Sequence, residues 1–494
     1  MAEDYDIIIV GSGAGGGTLA HTLARTGKRI LIVERGDFLR SEPGSEAAPH
    51  PGAPETWYDA HGRPFQPAAA YFVGGATKLY GAALSRLRPM DFGRLGHMDG
   101  ESAAWPVGYS EFEPWYSRAE WLYQVHGRHG EDPTEGAWSA DYPCPPVDHE
   151  PVIQRLADEL TLAGYQPFHT PTAILPHAKA DADVVAVRPL LDRRNVTLLT
   201  GTEVTRLETD PRGRAVTGVV VNRGGYREVY RGGVVVLAAG AINSARILLR
   251  SASGAHPDGL ANGSGLVGRD LMVHNHIDVV AAVTESHHAT FPQTLAINDF
   301  YLGGRQGRWP LGSIQVLGDP WETAIAFRLT TEDLPLPANR VTIDAQDRVS
   351  VAHVPTGDGA ARLLYRSLRT MLGATKLIVP DSFAMPVPRQ PDRERLIPAD
   401  YAGTCRFGHD PATSVLDVDC RAHELDNMYV VDASFLPSIG AVSPALTVMA
   451  NAIRVGERLA ARLGCPLASQ VAAPETGPRP AWPGTRPTAV SGVS

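Results

Sequence analysis

Apolar residues run in unbroken blocks along some parts of this chain and alternate with polar ones along others. Ile7-Ile8-Ile9-Val10 is a continuous β-branched run, as expected of a parallel strand covered on both faces. A helical pattern follows over Gly17 to Arg25, with Leu19 and Leu23 on one face, and a second buried run, Arg29 to Val33, ends at Glu34. Strand, helix and strand in about 30 residues make a βαβ unit. The same texture returns as VVVLAAG, Val234 to Gly240, with a helix predicted directly after it over Ala241 to Arg250. This second strand–turn–helix is expected to extend the sheet begun by the first. Before it, Val196 to Leu199, Glu203 to Glu208, Ala215 to Asn222 and Arg227 to Tyr230 read as strands, the last two joined at Gly224-Gly225.

From 277 to 380 the pattern changes to alternation. Ile277 to Val283, Ser313 to Leu317, Ile325 to Leu329 and Arg340 to Asp344 predict an antiparallel sheet, followed by a helix over Ala360 to Leu372. Further helices are expected over Ser110 to Val125, Pro151 to Ala163 and Val184 to Arg193; the first carries Ser110 as N-cap and Glu113 as its capping-box partner. Residues 41 to 70 are Pro-, Gly- and His-rich with little periodicity, which suggests a lid. Residues 128 to 149 read as a connector, and 466 to 494 offer little to bury and are expected to be disordered. The fold class expected is α/β: a discontinuous dinucleotide-binding body (1–125, 186–276 and 400–465), a connector or cap (126–185), an inserted α+β substrate domain with an antiparallel sheet (277–399) and a tail (466–494).

Composition narrows the function. The net charge of −9 over 494 residues argues against nucleic acid or an anionic membrane surface as partner. No apolar run approaches the roughly 18–20 residues needed to span a bilayer. The N-terminus is acidic and enters a strand at once, so no signal peptide is expected and a cytoplasmic location is the default. Cys144, Cys405, Cys420 and Cys465 form no C-x-x-C pair, so neither a metal site nor a disulfide framework is indicated. A small-molecule substrate is the expected partner; the oligomeric state stays open.

Gly11, Gly13 and Gly16 stand as G-x-G-x-x-G between the first strand and its helix. That spacing serves a tight turn, close backbone approach to a pyrophosphate and tight helix packing, with the phosphates on the helix N-terminus. Glu34, with Arg35 after it, lies where an acid accepts hydrogen bonds from an unphosphorylated ribose, which favours FAD or NAD over NADP.

Two further stretches accompany this motif: YFVGGATKLYGA, Tyr71 to Ala82, and the C-terminal run from AGTCRFG at Ala402 through VVDASFLPSIGAVSPALTVMANAI. Together with VVVLAAGAINSARILLRS they resemble the glucose–methanol–choline (GMC) oxidoreductase family of flavoproteins, in the expected order along most of the chain. The resemblance implies FAD. Gly11, Gly13, Gly16 and Glu34 would hold its ADP half, Val204 would contact the adenine side, and Ala239 and Gly240 would pack near the ribose and phosphates. Gly74, Gly75, Thr77, Lys78 and Tyr80 would lie against flavin and pyrophosphate. Asp432 and Ala433 would reach the ribityl chain, and Pro444, Ala445 and Leu446 would begin a helix aimed at the flavin, stabilising negative charge on the reduced ring.

The family oxidises alcohols with a His three residues before the Gly of its GTC-type motif and a second His or Asn before the Pro of that helix. Here Asp400 and Ser443 stand in those positions. An ionised Asp400 would oppose a reduced anionic flavin by roughly 2.8 kcal/mol at about 6 Å and an effective dielectric of 20, while burial would raise its pKa and favour the neutral acid. His409, in FGHDP, His274 and His276, in LMVHNH, and His423 are the candidate replacement bases, each reading first as a surface or packing histidine, and His409 is carried with Asp400 and Ser443 as a catalytic candidate. Oxidation of an alcohol on a small to medium metabolite of specialised biosynthesis is the main expectation. The alternative is a non-redox cyclase, lyase or isomerase that keeps FAD and uses Asp400 as acid–base group.

Overall fold

The protein is described by a computed structural model over residues 4–39, 55–67, 69, 71–176, 178–287, 293–303, 307–317, 322–384 and 400–467. The tail from 468 and most of the expected lid, 40–54, lie outside the described residues. Six long helices are α1 (Ala14–Leu23), α2 (Tyr109–Leu122), α3 (Pro151–Leu162), α4 (Ala241–Arg250), α5 (Asp358–Leu372) and α6 (Ala445–Arg462).

The continuous apolar runs form one parallel sheet. Strand Asp4–Val10 lies between Ile30–Val33 and the long strand Tyr226–Leu237, and Val196–Leu199 flanks Ile30–Val33 on the outside. Ile7, Ile8 and Ile9 are each fully buried, because α1 and its neighbours close both faces of the sheet. The strand Tyr226–Leu237 changes partner along its length. Its first half pairs antiparallel with Val216–Arg223, which continues to Thr202–Thr209, and its second half pairs parallel with Met428–Val430. α6 packs against α1 and α2.

The alternating runs form a separate antiparallel sheet in the order Asn275–Ala282, Ala324–Thr331, Ser313–Leu317, Leu295–Ile297, Pro167–His169. Its period of two sorts the side chains. Val279, Ala281, Ile325, Phe327 and Leu329 pack with Leu156 and Leu160 of α3 and Leu364, Leu368 and Met371 of α5 in a second core. The intervening residues His276, Arg328, Thr330 and Gln315 face the other way, into the cleft between the two sheets.

Three expectations need correction. The 126–185 segment, expected as a connector or cap with a helix over Pro151 to Ala163, keeps that helix as α3 but also joins the second sheet through the edge strand Pro167–His169. α2 starts one residue early, with Gly108 as N-cap; Glu113 is drawn instead into a buried pair with Arg86, Nη1 donating at 3.0 Å. Residues 184–193 form no regular α-helix but a π turn over Asp183–Val187 and a 3-10 turn over Arg188–Leu190, with Asp183 tied to both Lys78 and Arg188.

Candidate active site

The two sheets enclose a cleft of about 2350 Å³, open solvent included. Its floor is the glycine loop. Gly11 has φ +97°, and a Cβ there would stand 2.3 Å from the Ala238 carbonyl oxygen. Gly13 and Gly75 meet in the same way, a Cβ on Gly75 falling 2.9 Å from the Gly13 Cα. Only glycine lets the 74–80 loop settle on the first βα turn. Gly13 is also the N-cap of α1 and offers it no side chain; Gly240 and Pro444 do the same for α4 and α6. All three uncapped helix ends line the cleft, so their free N–H groups and positive dipole ends face one space.

Glu34 is buried at the end of strand Ile30–Val33. Its Oε2 accepts from the Ser12 amide at 3.0 Å and the Ser12 hydroxyl at 2.6 Å, and its Oε1 from the Gly36 amide at 2.8 Å. Burial raises its pKa and these bonds oppose the rise. Both lone pairs of Oε2 are taken by Ser12, and Oε1 keeps one acceptor site for a ribose hydroxyl. Asp432 is likewise saturated from the protein side, taking the Gly240 and Ser434 amides and the Ser244 and Ser434 hydroxyls. Uncapped helix ends for the pyrophosphate, an acid at the ribose position and a long cleft fit FAD.

The predicted cofactor residues divide by position. Gly11, Gly13, Glu34, Arg35, Gly75, Thr77, Tyr80, Val204, Ala239, Gly240, Asp432, Ala433, Pro444 and Ala445 line the cleft. Gly16, Gly74 and Leu446 do not; they act one layer back, Gly16 by letting α1 pass the Gly11 carbonyl and Gly74 by donating its amide to Ser12 Oγ at 3.1 Å. Lys78 corrects its expectation. It is buried in ion pairs with Asp181 at 2.9 Å and Asp183 at 3.3 Å, which anchor the 74–80 loop from behind.

At the other end of the cleft, Asp400 and Ser443 both line the wall, as does His276. The strand Tyr401–Ala402 pairs antiparallel with Met272–Val273, in register Met272 with Ala402 and Val273 with Tyr401. Continued by one residue, that register sets His274 opposite Asp400. His274 Nδ1 lies 3.2 Å from Asp400 Oδ2, and His276 Nε2 lies 3.9 Å from the same oxygen. His276 Nδ1 meets Thr330 Oγ1 at 3.0 Å, its partner across the sheet. His274 is fully buried, whereas the Asp400 side chain is 36% exposed.

The electrostatics reverse the expectation for Asp400. Burial pushes its carboxyl up, but the contacts with His274 and His276 outweigh that and hold it well below the usual carboxylate range. It is an anion, not a neutral acid. Burial lowers the His276 pKa, assisted by His274 and Arg328 and opposed by Asp400, so His276 rests as neutral imidazole. Arg328 is held by Asp278 through two bonds of 2.8 and 2.9 Å. His409 corrects its expectation: it is exposed, its ring sits 3.2 Å from the Pro106 carbonyl, and it does not line the cleft. His423 packs beside Ser414, Nε2 to Oγ 2.9 Å. His276, one of the candidate histidines, lines the cleft beside Asp400. Its place in the first alternating run, one position ahead of Ile277, puts it on the polar face.

The GMC oxidoreductase family description matches residues 147–276 and 335–452, and an FAD binding domain matches 6–48. The 6'''-hydroxyparomomycin C oxidase of Streptomyces lividus is 31% identical, covering 94% of this chain and 93% of its own. The paromamine 6'-oxidase of Streptomyces fradiae is 32% identical over 93% and 92%. Among solved structures, a pyridoxine 4-oxidase from Mesorbium loti superposes with TM-score 0.67 at 20% identity, covering 92% of this chain and 99% of its own. A formate oxidase does so with TM-score 0.70 at 15% identity, over 93% and 99%.

Proposed function

This chain belongs to the GMC oxidoreductase family and is an FAD-dependent oxidoreductase, and from that premise we propose that it oxidises a hydroxymethyl group of an amino-sugar glycoside to the aldehyde. The observation that carries the reading is that His276, Asp400 and Ser443 all line the cleft, with Asp400 Oδ2 3.9 Å from His276 Nε2. The wall offers a neutral imidazole, an anion and a hydroxyl, with Gln293, Gln315 and Thr330 in the same lining to hold a hydroxylated ring by hydrogen bonds.

FAD, when bound, supplies the two-electron acceptor. Glu34 would hold its ribose and the uncapped ends of α1 and α4 its phosphates. The chain's own part is to orient the alcohol, exclude bulk water and take the hydroxyl proton. The two relatives above 30% identity are named as oxidases of aminoglycosides, which supports both the substrate class and a place in specialised biosynthesis. The non-redox alternative is not favoured: those relatives are named as oxidases, and its acid–base residue, Asp400, is an anion already engaged by His274.

Anaerobic mixing of holoenzyme with paromamine tests the reading. Bleaching of the oxidised flavin band, with one aldehyde formed per flavin reduced, is the expected result. Aldehyde-free product with the band unchanged would sink it.

A further inference from the structure

We propose that the proton acceptor of this enzyme is His276 Nε2, and that Asp400, standing where the family places its base, acts instead as the positioning anion for that imidazole. The inference rests on the alcohol-oxidation reading above and adds the residue that makes it work.

Geometry selects His276 over its neighbours. It is the histidine that lines the cleft, with its side chain 23% exposed, whereas His274 is fully buried. Its Nδ1 is engaged by Thr330 Oγ1 at 3.0 Å. With Nδ1–H donating there, Nε2 carries the lone pair and points to the Asp400 side of the cleft. The 3.9 Å between Nε2 and Asp400 Oδ2 is too long for a hydrogen bond in the resting state. Nε2 is therefore free to accept from a substrate hydroxyl, and close enough to its counter-ion to be stabilised once charged. Asp400 is held from the far side by His274 Nδ1 at 3.2 Å.

In the step, the O–H bond breaks and its proton goes to Nε2. The C–H bond breaks, and bound FAD would supply the acceptor for its electron pair. The oxygen's freed pair closes the C=O bond, so the alcohol loses two hydrogens and two electrons. Charge also balances locally. Neutral imidazole beside Asp400 becomes imidazolium beside Asp400, a net change from −1 to zero. The repulsion that a lone Asp400 would exert on a reduced flavin is offset at the moment it would count. The groups facing His276 are His274, two residues before it in the same run, Asp400 from the segment paired with that run, and Arg328 from the adjacent strand, whose partner Asp278 lies on His276's own strand. Of these only Asp400 favours the charged ring, because Asp278 is committed to Arg328.

The test uses FAD-loaded enzyme. His276→Asn is expected to slow anaerobic flavin reduction by about 100-fold or more, with substrate affinity and FAD content within about threefold of wild type. Histidine labelled at Cε1 and titrated by NMR, with His276→Asn identifying the resonance, supplies a readout independent of turnover. Asp400→Asn should move the His276 midpoint down by about 1 pH unit or more, and Asp400→Glu should restore it at least in part. The rate must rise with pH through that midpoint, and in Asp400→Asn the rising limb moves to lower pH. Three results would each overturn the proposal: a smaller rate loss in His276→Asn, a His276 midpoint that Asp400→Asn leaves in place, or activity abolished by a chelator and restored by a divalent cation. The last would make these nitrogens ligands, since the donor atoms of His274, His276 and Asp400 lie within 4.8 Å of one another. If wild-type enzyme is not reduced by paromamine, the substrate reading fails, while the His276–Asp400 titration still stands or falls separately.

Discussion

Glu34 shows how much one carboxylate does at a cofactor site. It terminates the second strand, ties Ser12 of the glycine loop to Gly36, and keeps one acceptor lone pair, on Oε1, for the cleft. Glu34→Gln keeps the shape but sets an NH₂ group against one of the amide donors it now receives. That loses a charge-assisted bond and the ribose acceptor together, so FAD affinity should fall by about tenfold or more. Flavin fluorescence titration of the apoprotein reads this directly, and an unchanged Kd would remove Glu34 from the ribose. Lys78 makes the opposite point. Its place in the GGATKLYG motif suggested contact with the cofactor, yet both its acids, Asp181 and Asp183, come from about 100 residues later. No local pattern announces a partner that distant.

Among the elements, α6 joins the cofactor and the chemistry. Ser443 and Pro444 precede its first turn, the turn carries no acid, and its N-terminus opens on the cleft. A positive helix end there favours negative charge nearby. Ser443→Asp would place a carboxylate on that end. The flavin midpoint potential should become more negative by tens of millivolts, about 30 mV for each 1.4 kcal/mol of added repulsion. Dye equilibration measures it, and an unshifted potential would detach α6 from the flavin's charge. The antiparallel sheet is the second decisive element. Its alternation was legible from Ile277 onward, and so was its amphipathic character. Which polar residues would face the cleft depended on pairing with Ala324–Thr331 and on cover from α3 and α5.

Across the molecule, the two layers are tied by a buried contact behind the site. Tyr301, from the substrate side, donates to Asp91 Oδ2 at 2.7 Å and accepts the Ala441 amide at 3.0 Å, just before α6. Burial, and then the nearby Glu332 charge, push the Asp91 carboxyl up to about 7. A carboxyl raised in the folded state binds more protons there than in the unfolded chain. Stability therefore falls as pH rises from about 4 to about 7, by on the order of 4 kcal/mol from this group, and levels off above. Asp91→Asn cannot ionise. Its melting temperature, compared with wild type, should improve steadily between pH 5 and pH 8; a difference independent of pH would show that Asp91 does not titrate in that range.

The sequence by itself determined the cofactor and the framework. Continuous apolar runs, glycine spacing and an acid at the strand end are local features, and the physics behind them acts within about 30 residues. It also determined that Asp400 and Ser443 occupy the positions of interest. Only the tertiary structure decided what they are beside. The register of Met272–Val273 with Tyr401–Ala402 brings together His274 and Asp400, 126 residues apart, and strand alternation then turns His276 to the same point. That juxtaposition makes Asp400 an anion where burial alone predicted a neutral acid, because a charge responds to its neighbours in space and not to its neighbours in the chain.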